Sequence, residues 1–224
     1  AGMAVCGPTG LQVYKTPGRL AALAELTADG AALTGTVGVG HTRWATHGEP
    51  NQVNAHPQTS GDGRFAVVHN GIIENFARLK AQLIQQGYTF RSETDTEVVA
   101  QLLSFYYDRC GDVFEAVNSM LSAVGIVCAD KPDRVIAARK DAPLLLGCGQ
   151  GENFLASDVT ALLPYTRDVI YMDDGELAVI TADGIRIYDE RRRPIEKPHN
   201  HIDWDVDAAE KGGYPHFMLK EIYE

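Results

Sequence analysis

The residues most able to do chemistry are concentrated in one stretch, positions 40–50, where an arginine, a tryptophan, two threonines and two histidines lie between two glycines. A strand entering this stretch would end near Arg43, because the Gly-Glu-Pro that follows cannot continue a regular element. Side chains at the point where a strand opens into a loop commonly meet a ligand. The candidate binding residues of this stretch are Arg43, Trp44, Thr46 and His47.

An arginine at this position suits a carboxylate or a phosphate, because its planar guanidinium donates two parallel charge-assisted hydrogen bonds. A plain surface loop, with one ion pair at Arg43 and a packed Trp44, explains the same residues. Residue types alone do not separate these two interpretations.

Asn70 and Gly71 follow an apolar run and offer a second kind of chemistry. A glycine exposes its backbone N–H, and the asparagine places a side-chain amide beside it. Two such donors are what an oxyanion hole requires to stabilise the tetrahedral intermediate of acyl transfer. An ordinary Asn-Gly turn is the competing interpretation.

Asp95 stands where the sequence predicts the first turn of a helix, with Thr94 and Glu97 at the spacing of a capping box. A carboxylate there interacts favourably with the helix dipole and needs no ligand to explain it. It would also hold an ammonium group. An arginine for a carboxylate and an aspartate for an ammonium together describe a pocket for the backbone end of a free amino acid.

A nucleophile is not evident in this sequence. Cys6 ends an apolar strand and enters a Pro-Gly turn, which is typical of a buried or turn cysteine. The four histidines at positions 41, 47, 56 and 69 match no metal-binding spacing, so we expect neither a metal nor a cofactor.

Composition excludes several classes of function. The net charge of −10 over 224 residues argues against binding to nucleic acid or to an anionic membrane surface. No apolar run is long enough to span a membrane, and no signal peptide opens the sequence. The four cysteines are scattered without paired spacing, which favours a reducing cytoplasm.

The pattern of apolar residues predicts short, hairpin-spaced strands with helices packed outside them, and therefore an α+β fold of mainly antiparallel sheets. Predicted strands cover about 2–6, 11–15, 36–43, 64–71, 123–129, 134–139, 143–147, 168–172, 175–181 and 184–188, and predicted helices cover 18–27, 74–86, a segment opening at 92–97, and 112–122.

Residues 189–213 are charged and poor in aliphatic side chains, which is typical of a linker or an arm lying over a domain. We therefore expect a domain at 1–188 and a C-terminal arm at 189–224. The first residues have the pattern of the interior of a strand, so we expect the natural polypeptide to extend beyond both ends. We also expect these 224 residues alone to fold poorly.

Several long runs resemble the glutaminase domain of the glutamine–fructose-6-phosphate aminotransferase family. The runs are Gly40-His-Thr-Arg-Trp-Ala-Thr-His-Gly-Glu-Pro50, Asn54-Ala-His-Pro57, His69-Asn-Gly-Ile-Ile-Glu-Asn75, Ser92-Glu-Thr-Asp-Thr-Glu-Val98, Gly151-Glu-Asn-Phe-Leu-Ala-Ser-Asp158 and the final Phe217 to Glu224. The resemblance implies an N-terminal-nucleophile (Ntn) hydrolase fold, in which two antiparallel sheets stack between helical layers.

The resemblance also implies a mechanism. An N-terminal cysteine attacks the side-chain amide of L-glutamine, with its own α-amino group as the base, and ammonia passes to a sugar-phosphate isomerase domain that would follow Glu224. By position, Arg43 would hold the α-carboxylate of glutamine and Asp95 its α-ammonium. Trp44, Thr46 and His47 would line the pocket, Asn70 and the N–H of Gly71 would form the oxyanion hole, Gly71 would also touch the substrate, and His56 would lie near the site. A homo-oligomer is expected for the full-length enzyme.

One departure from the family is large, because nothing here matches the N-terminal cysteine segment. The first residues resemble a later part of the family, which places about thirty residues upstream. Another amidotransferase with the same domain, such as the amidophosphoribosyltransferase of purine synthesis, is the closest rival. Without a nucleophile the 224 residues alone would only bind glutamine or glutamate.

Overall fold

The computed structural model describes residues 1–43, 48–118 and 123–203. The helices in these ranges are α1 (Leu20–Leu26), α2 (Phe76–Gln85), α3 (Asp95–Cys110) and α4 (Val113–Asn118), with a 3₁₀ turn at Val159–Ala161. The strands are β1 (Gly2–Gly7), β2 (Gly10–Lys15), β3 (Val37–His41), β4 (Gln58–Thr59), β5 (Phe65–Asn70), β6 (Ala123–Cys128), β7 (Lys131–Ala138), β8 (Leu145–Cys148), β9 (Asn153–Ala156), β10 (Asp168–Tyr171), β11 (Leu177–Thr181), β12 (Gly184–Tyr188), β13 (Pro194–Ile195) and β14 (Asn200–His201).

The largest sheet of the described residues has seven strands in the order β13-β12-β11-β7-β6-β5-β4, and all its neighbouring strands are antiparallel. Successive side chains of a strand point to opposite faces. On one face Phe65 and Ile126 pack with Leu103 of α3 and Val117 of α4. This face forms the helical side of the core.

Two smaller antiparallel sheets, β2-β1-β3 and β14-β10-β8-β9, cover the other face. Val127 of the large sheet packs against Ala4 of β1, and Ala178 packs against Leu146 of β8. The segment after the 3₁₀ turn covers the outer face of the four-stranded sheet. The predicted α+β fold of stacked antiparallel sheets with helices outside is confirmed.

The two smaller sheets approach each other through β3 and β9. Among the described residues each of these strands pairs on one side only. A Cβ atom built on Gly125 of β6 would lie 2.9 Å from Leu155 of β9 and 3.6 Å from Val39 of β3. The unpaired edges of β3 and β9 therefore lie above the same strand of the large sheet.

The turn before α3 differs from the predicted capping box. Thr94 is the N-cap of α3, but its side chain makes no capping hydrogen bond. The buried carboxylate of Glu97 instead accepts hydrogen bonds from the backbone N–H of Arg91 at 2.8 Å and of Ser92 at 2.6 Å. That prediction is wrong because Glu97 bonds residues two and three positions before the N-cap, and this longer reach fixes the turn that leads into Asp95.

Every other element predicted within the described ranges is present, with ends that differ by a few residues. Four short strands, β4, β9, β13 and β14, were not predicted. β13 and β14 pair with β12 and β10, so part of the charged segment after residue 188 lies along the edges of two sheets. No helix in the described residues is long and apolar enough to span a membrane.

Candidate active site

A cavity of about 290 Å³ lies where β3 and β5 end and α3 begins. Five of the residues predicted from the sequence line it together: Arg43, His56, Asn70, Gly71 and Asp95. The other three, Trp44, Thr46 and His47, lie outside the described residues. The tertiary fold therefore brings together groups that are separated by up to about fifty positions in the sequence.

Asn70 and Gly71 end β5 at the cavity wall. Gly71 adopts a φ of +133°, a conformation that favours glycine, and a Cβ atom there would lie 3.1 Å from Nε2 of His69. Neither the Gly71 N–H nor the Asn70 side-chain NH₂ group has a hydrogen-bond partner among the described residues. Two unused donors side by side are the arrangement that an oxyanion hole requires.

Arg43 follows β3 in a left-handed conformation, with a φ of +54° that is uncommon for a residue with a side chain. Its guanidinium donates to the carbonyl oxygens of Glu49 at 3.0 Å and Gly48 at 3.1 Å. The planar guanidinium that these bonds hold at the cavity wall suits a ligand carboxylate. Burial lowers the pKa of Arg43, and the nearby charge of Asp95 opposes that shift.

Asp95 is the first residue of α3 and is 4% exposed. Its Oδ2 accepts a hydrogen bond from the backbone N–H of Ile73 at 2.8 Å, which ties the helix to the loop after Gly71. Its Oδ1 accepts a longer bond from the Thr96 hydroxyl at 3.5 Å. A carboxylate has about four lone-pair sites, so acceptor capacity remains at the cavity wall. Asp95 and Arg43 therefore give the cavity one anionic and one cationic wall.

His56 is 6% exposed, and its Nδ1 is the one buried side-chain nitrogen or oxygen without a hydrogen-bond partner in the described part of the chain. Its ring centroid lies 4.7 Å from that of His41. Burial, followed by the proximity of His41 and His69, lowers the pKa of His56 to about 2. His56 is therefore neutral near pH 7 and leaves an open hydrogen-bonding position at the cavity.

Four further polar residues line the cavity and were not assigned to a binding pocket from the sequence: His41, His69, Thr94 and Thr96. His41 is the last residue of β3 and lies two positions before Arg43, inside the stretch that the sequence marks as rich in chemistry. His69 Nδ1 lies 3.3 Å from the Thr96 hydroxyl, a tertiary contact that spacing does not predict. No group of His, Cys, Asp and Glu in the described residues is arranged to hold a metal ion.

The four cysteines all belong to the described residues, and none of them lines the cavity. Cys6 packs in the apolar cluster between the three-stranded sheet and the large sheet, and burial raises the pKa of its thiol to about 11. A thiol with a raised pKa is a poor nucleophile, because the thiolate is the reactive form. Cys6 therefore does not replace a catalytic cysteine.

Comparison with known proteins gives the family of this fold. The glutamine amidotransferase domain family matches residues 20–194, which is most of the chain. The chain belongs to this family. The domain is 52% identical to the isomerising glutamine–fructose-6-phosphate aminotransferase of Caldanaerobacter subterraneus subsp. tengcongensis and 51% identical to that of Thermus thermophilus, in each case over 100% of this chain. The amidotransferase domain spans 37% of the length of these curated relatives.

Solved structures agree with the fold. The glutamine phosphoribosylpyrophosphate (PRPP) amidotransferase of B. subtilis matches 86% of the amidotransferase domain, and 43% of that protein, with a TM-score of 0.68 and 25% sequence identity. The domain therefore has the Ntn amidotransferase fold.

Proposed function

We propose that this amidotransferase domain hydrolyses the side-chain amide of L-glutamine and supplies ammonia to an isomerising glutamine–fructose-6-phosphate aminotransferase. The observation that supports this most strongly is one cavity with a cationic wall, an anionic wall and two N–H donors that have no hydrogen-bond partner among the described residues. These features complement the α-carboxylate, the α-ammonium and the reacting carbonyl oxygen of glutamine. A zwitterionic amino acid with an amide at its far end fits all three.

In the proposed complex Arg43 binds the α-carboxylate and Asp95 binds the α-ammonium. The side chain of glutamine then runs toward Asn70 and Gly71, whose N–H groups stabilise the oxyanion when a thiolate attacks the amide carbon. The α-amino group of the cysteine takes the thiol proton and passes it to the leaving nitrogen, so that a thioester forms and ammonia leaves. Water then cleaves the thioester to give glutamate and the free thiol. Trp44, Thr46 and His47 are proposed to complete the pocket, with His56 beside it.

We propose that the attacking thiol belongs to an N-terminal cysteine outside these 224 residues, as the family resemblance implies. Within the part of the chain that the structure describes, β3 and β9 each have one unpaired edge. This supports the proposal, since a strand placed between them would join the two smaller sheets into one. Such a strand would run above Gly125, where both Val39 and Leu155 already pack.

The wider assignments follow from the relatives. The domain spans 37% of their length, which leaves room for a sugar-phosphate isomerase domain after residue 224. We propose that residues 1–188 form the glutaminase domain, that 189–224 form the arm leading to that partner, and that the full-length enzyme is a homo-oligomer. The four free cysteines favour the cytoplasm as its location.

Sequence identity favours the glutamine–fructose-6-phosphate aminotransferase over the amidophosphoribosyltransferase of purine synthesis. The aminotransferase relatives are about 50% identical over the whole domain, against 25% for the PRPP amidotransferase. The full-length protein should therefore convert glutamine and fructose 6-phosphate to glutamate and glucosamine 6-phosphate. Formation of phosphoribosylamine from PRPP instead would favour the rival. If the protein released no glutamate and an electrophilic glutamine analogue labelled no cysteine, the domain would be one that only binds glutamine or glutamate.

Replacing Arg43 by lysine should raise the KM for glutamine about 10-fold to 150-fold with a small change in kcat, because a charged hydrogen bond contributes about 1.5–3 kcal/mol. An ammonium cannot reproduce the two parallel bonds of a guanidinium. The measurement is steady-state glutamate release by the full-length enzyme. Arg186→Lys, on the exposed side of β12, is the matched control and should leave KM unchanged.

A second substrate separates carboxylate binding from a loosened loop, because Arg43 also bonds the main chain at residues 48 and 49. 4-Aminobutanamide lacks the α-carboxylate of glutamine. Arg43→Lys should weaken the enzyme's affinity for glutamine but not for this analogue. Equal losses for both compounds would mean that Arg43 only supports the loop.

A further inference from the structure

We propose that His41 is a positioning residue that fixes the side-chain amide of Asn70 with its NH₂ group toward the cavity and ties that amide to the backbone of Arg43. The inference extends the proposed glutaminase function, because it concerns how the oxyanion donor is oriented. It rests on two hydrogen bonds of a single imidazole ring.

The first bond defines the tautomer of His41. The backbone N–H of Arg43 donates to Nδ1 of His41 at 2.8 Å. A backbone N–H is only ever a donor, so Nδ1 must carry a lone pair and no proton. In a neutral imidazole the single proton then lies on Nε2.

The second bond fixes the orientation of the Asn70 side-chain amide. Nε2 of His41 lies 2.6 Å from Oδ1 of Asn70. Because Nε2 carries the proton, the atom that it meets must be an acceptor, and the amide of Asn70 is oriented with its oxygen toward His41. The NH₂ group is therefore on the other side and free to meet an oxyanion. Without this bond the amide can rotate and present its oxygen to the oxyanion, which would repel it.

The surroundings of His41 favour the neutral ring that this arrangement requires. His41 is half-buried, its ring packs beside that of His56, and the guanidinium of Arg43 is close. Burial lowers the pKa of His41, and the hydrogen bond to Asn70 opposes that shift. A protonated ring would carry a hydrogen on Nδ1 pointing at the Arg43 N–H, so protonation would break the first bond.

The same ring connects the two ends of the substrate site. The ring of His41 accepts a hydrogen bond from the backbone N–H of Arg43, and this local bond holds the left-handed backbone of Arg43. The same ring donates a hydrogen bond to Asn70, the residue proposed to stabilise the oxyanion. His41 thus links the residue that binds the α-carboxylate to the residue that stabilises the reacting carbonyl.

Two variants of the full-length enzyme separate the two bonds. Asparagine places an oxygen near the position of Nδ1, whereas glutamine places an amide NH₂ near the position of Nε2. His41→Asn should keep the bond from Arg43 and lose the one to Asn70, so kcat should fall about 10-fold to 100-fold while KM changes little. His41→Gln should restore the donor to Asn70 and return kcat to within about threefold of the wild type.

Equal loss of kcat in both variants, or an unchanged kcat in His41→Asn, would overturn the inference. If His41→Asn fails to fold, His41→Gln decides: near-normal kcat supports the positioning role, and a loss as large as that of Asn70→Ala overturns it. Nitrogen NMR of histidine-labelled wild-type enzyme gives an independent test. We expect the tautomer with the proton on Nε2, and a proton on Nδ1 would overturn the inference even if the enzyme proved not to be a glutaminase.

Discussion

Replacing Asn70 by alanine should lower the kcat for glutamine hydrolysis about 10²-fold to 10³-fold and change KM little, because removing one oxyanion donor costs about 2.7–4 kcal/mol of transition-state stabilisation. The charged oxygen exists only after attack on the amide, so the bound ground state loses little. The measurement is steady-state glutamate release by the full-length enzyme, at saturating and limiting glutamine.

Asn200→Ala is a suitable control, since this amide lies exposed on the edge strand β14 and bonds a neighbouring carbonyl. It should leave kcat unchanged. Asn70→Ala should still bind glutamate, which shows that the cavity remains folded. A variant in which only KM changes would contradict the oxyanion role and leave Asn70 as a substrate-binding residue.

Replacing Asp95 by asparagine should have the opposite kinetic signature, with KM for glutamine raised about thirtyfold or more and kcat largely retained. Asparagine keeps an oxygen that can accept from the Ile73 N–H, but it removes the charge. Loss of one partner from a buried hydrogen-bonded charge pair costs about 2–5 kcal/mol. The measurement is the KM for glutamine, compared with the affinity for glutaramic acid, which lacks the α-ammonium.

The competing explanation of Asp95 is its position at a helix N-terminus, so the control is another aspartate at such a position. Asp112 accepts hydrogen bonds from Phe114 and Glu115 at the start of α4 and does not line the cavity. Asp112→Asn should alter stability at most. If Asp95→Asn also altered stability alone, or weakened glutamine and glutaramic acid equally, the carboxylate would not bind the ammonium.

The periodic parts of this fold could be predicted from the sequence. β5 is an apolar run bounded by turn residues, and α3 carries a helical stripe between a polar start and a glycine at its end. The short strands were missed because two to four residues show no period, and β9 and β14 are strands only through their pairing. The Glu97 contacts were missed because they depend on the path of the chain before the helix.

Residue types predicted part of the site, and tertiary contacts supply the rest. Arg43, Asn70 and Asp95 stood out because each side chain suits one group of the substrate. The role of His41 could not be predicted in this way, since its partner Asn70 is 29 positions away and a histidine gives no indication of its tautomer. The lone pair on Nδ1 becomes apparent only when the Arg43 N–H is seen to point at it.

The strand order has a consequence for the sequence of folding events. Asn70 of β5 is opposite Ala123 of β6, so this pairing closes a loop of about fifty residues that contains α2, α3 and α4. Closing such a loop costs about 3–4 kcal/mol of chain entropy, whereas β6 and β7 are joined by a tight turn and pair at once. Asp95 of the cavity wall lies inside this loop, whereas Arg43 precedes the loop and Asn70 begins it, so the substrate site should assemble late. The Ile73 amide, which donates to Asp95, reports on this step in pulse-labelled hydrogen exchange. It should become protected together with the β5–β6 ladder and after the β6–β7 hairpin. Earlier protection would mean that the site forms before the sheet closes.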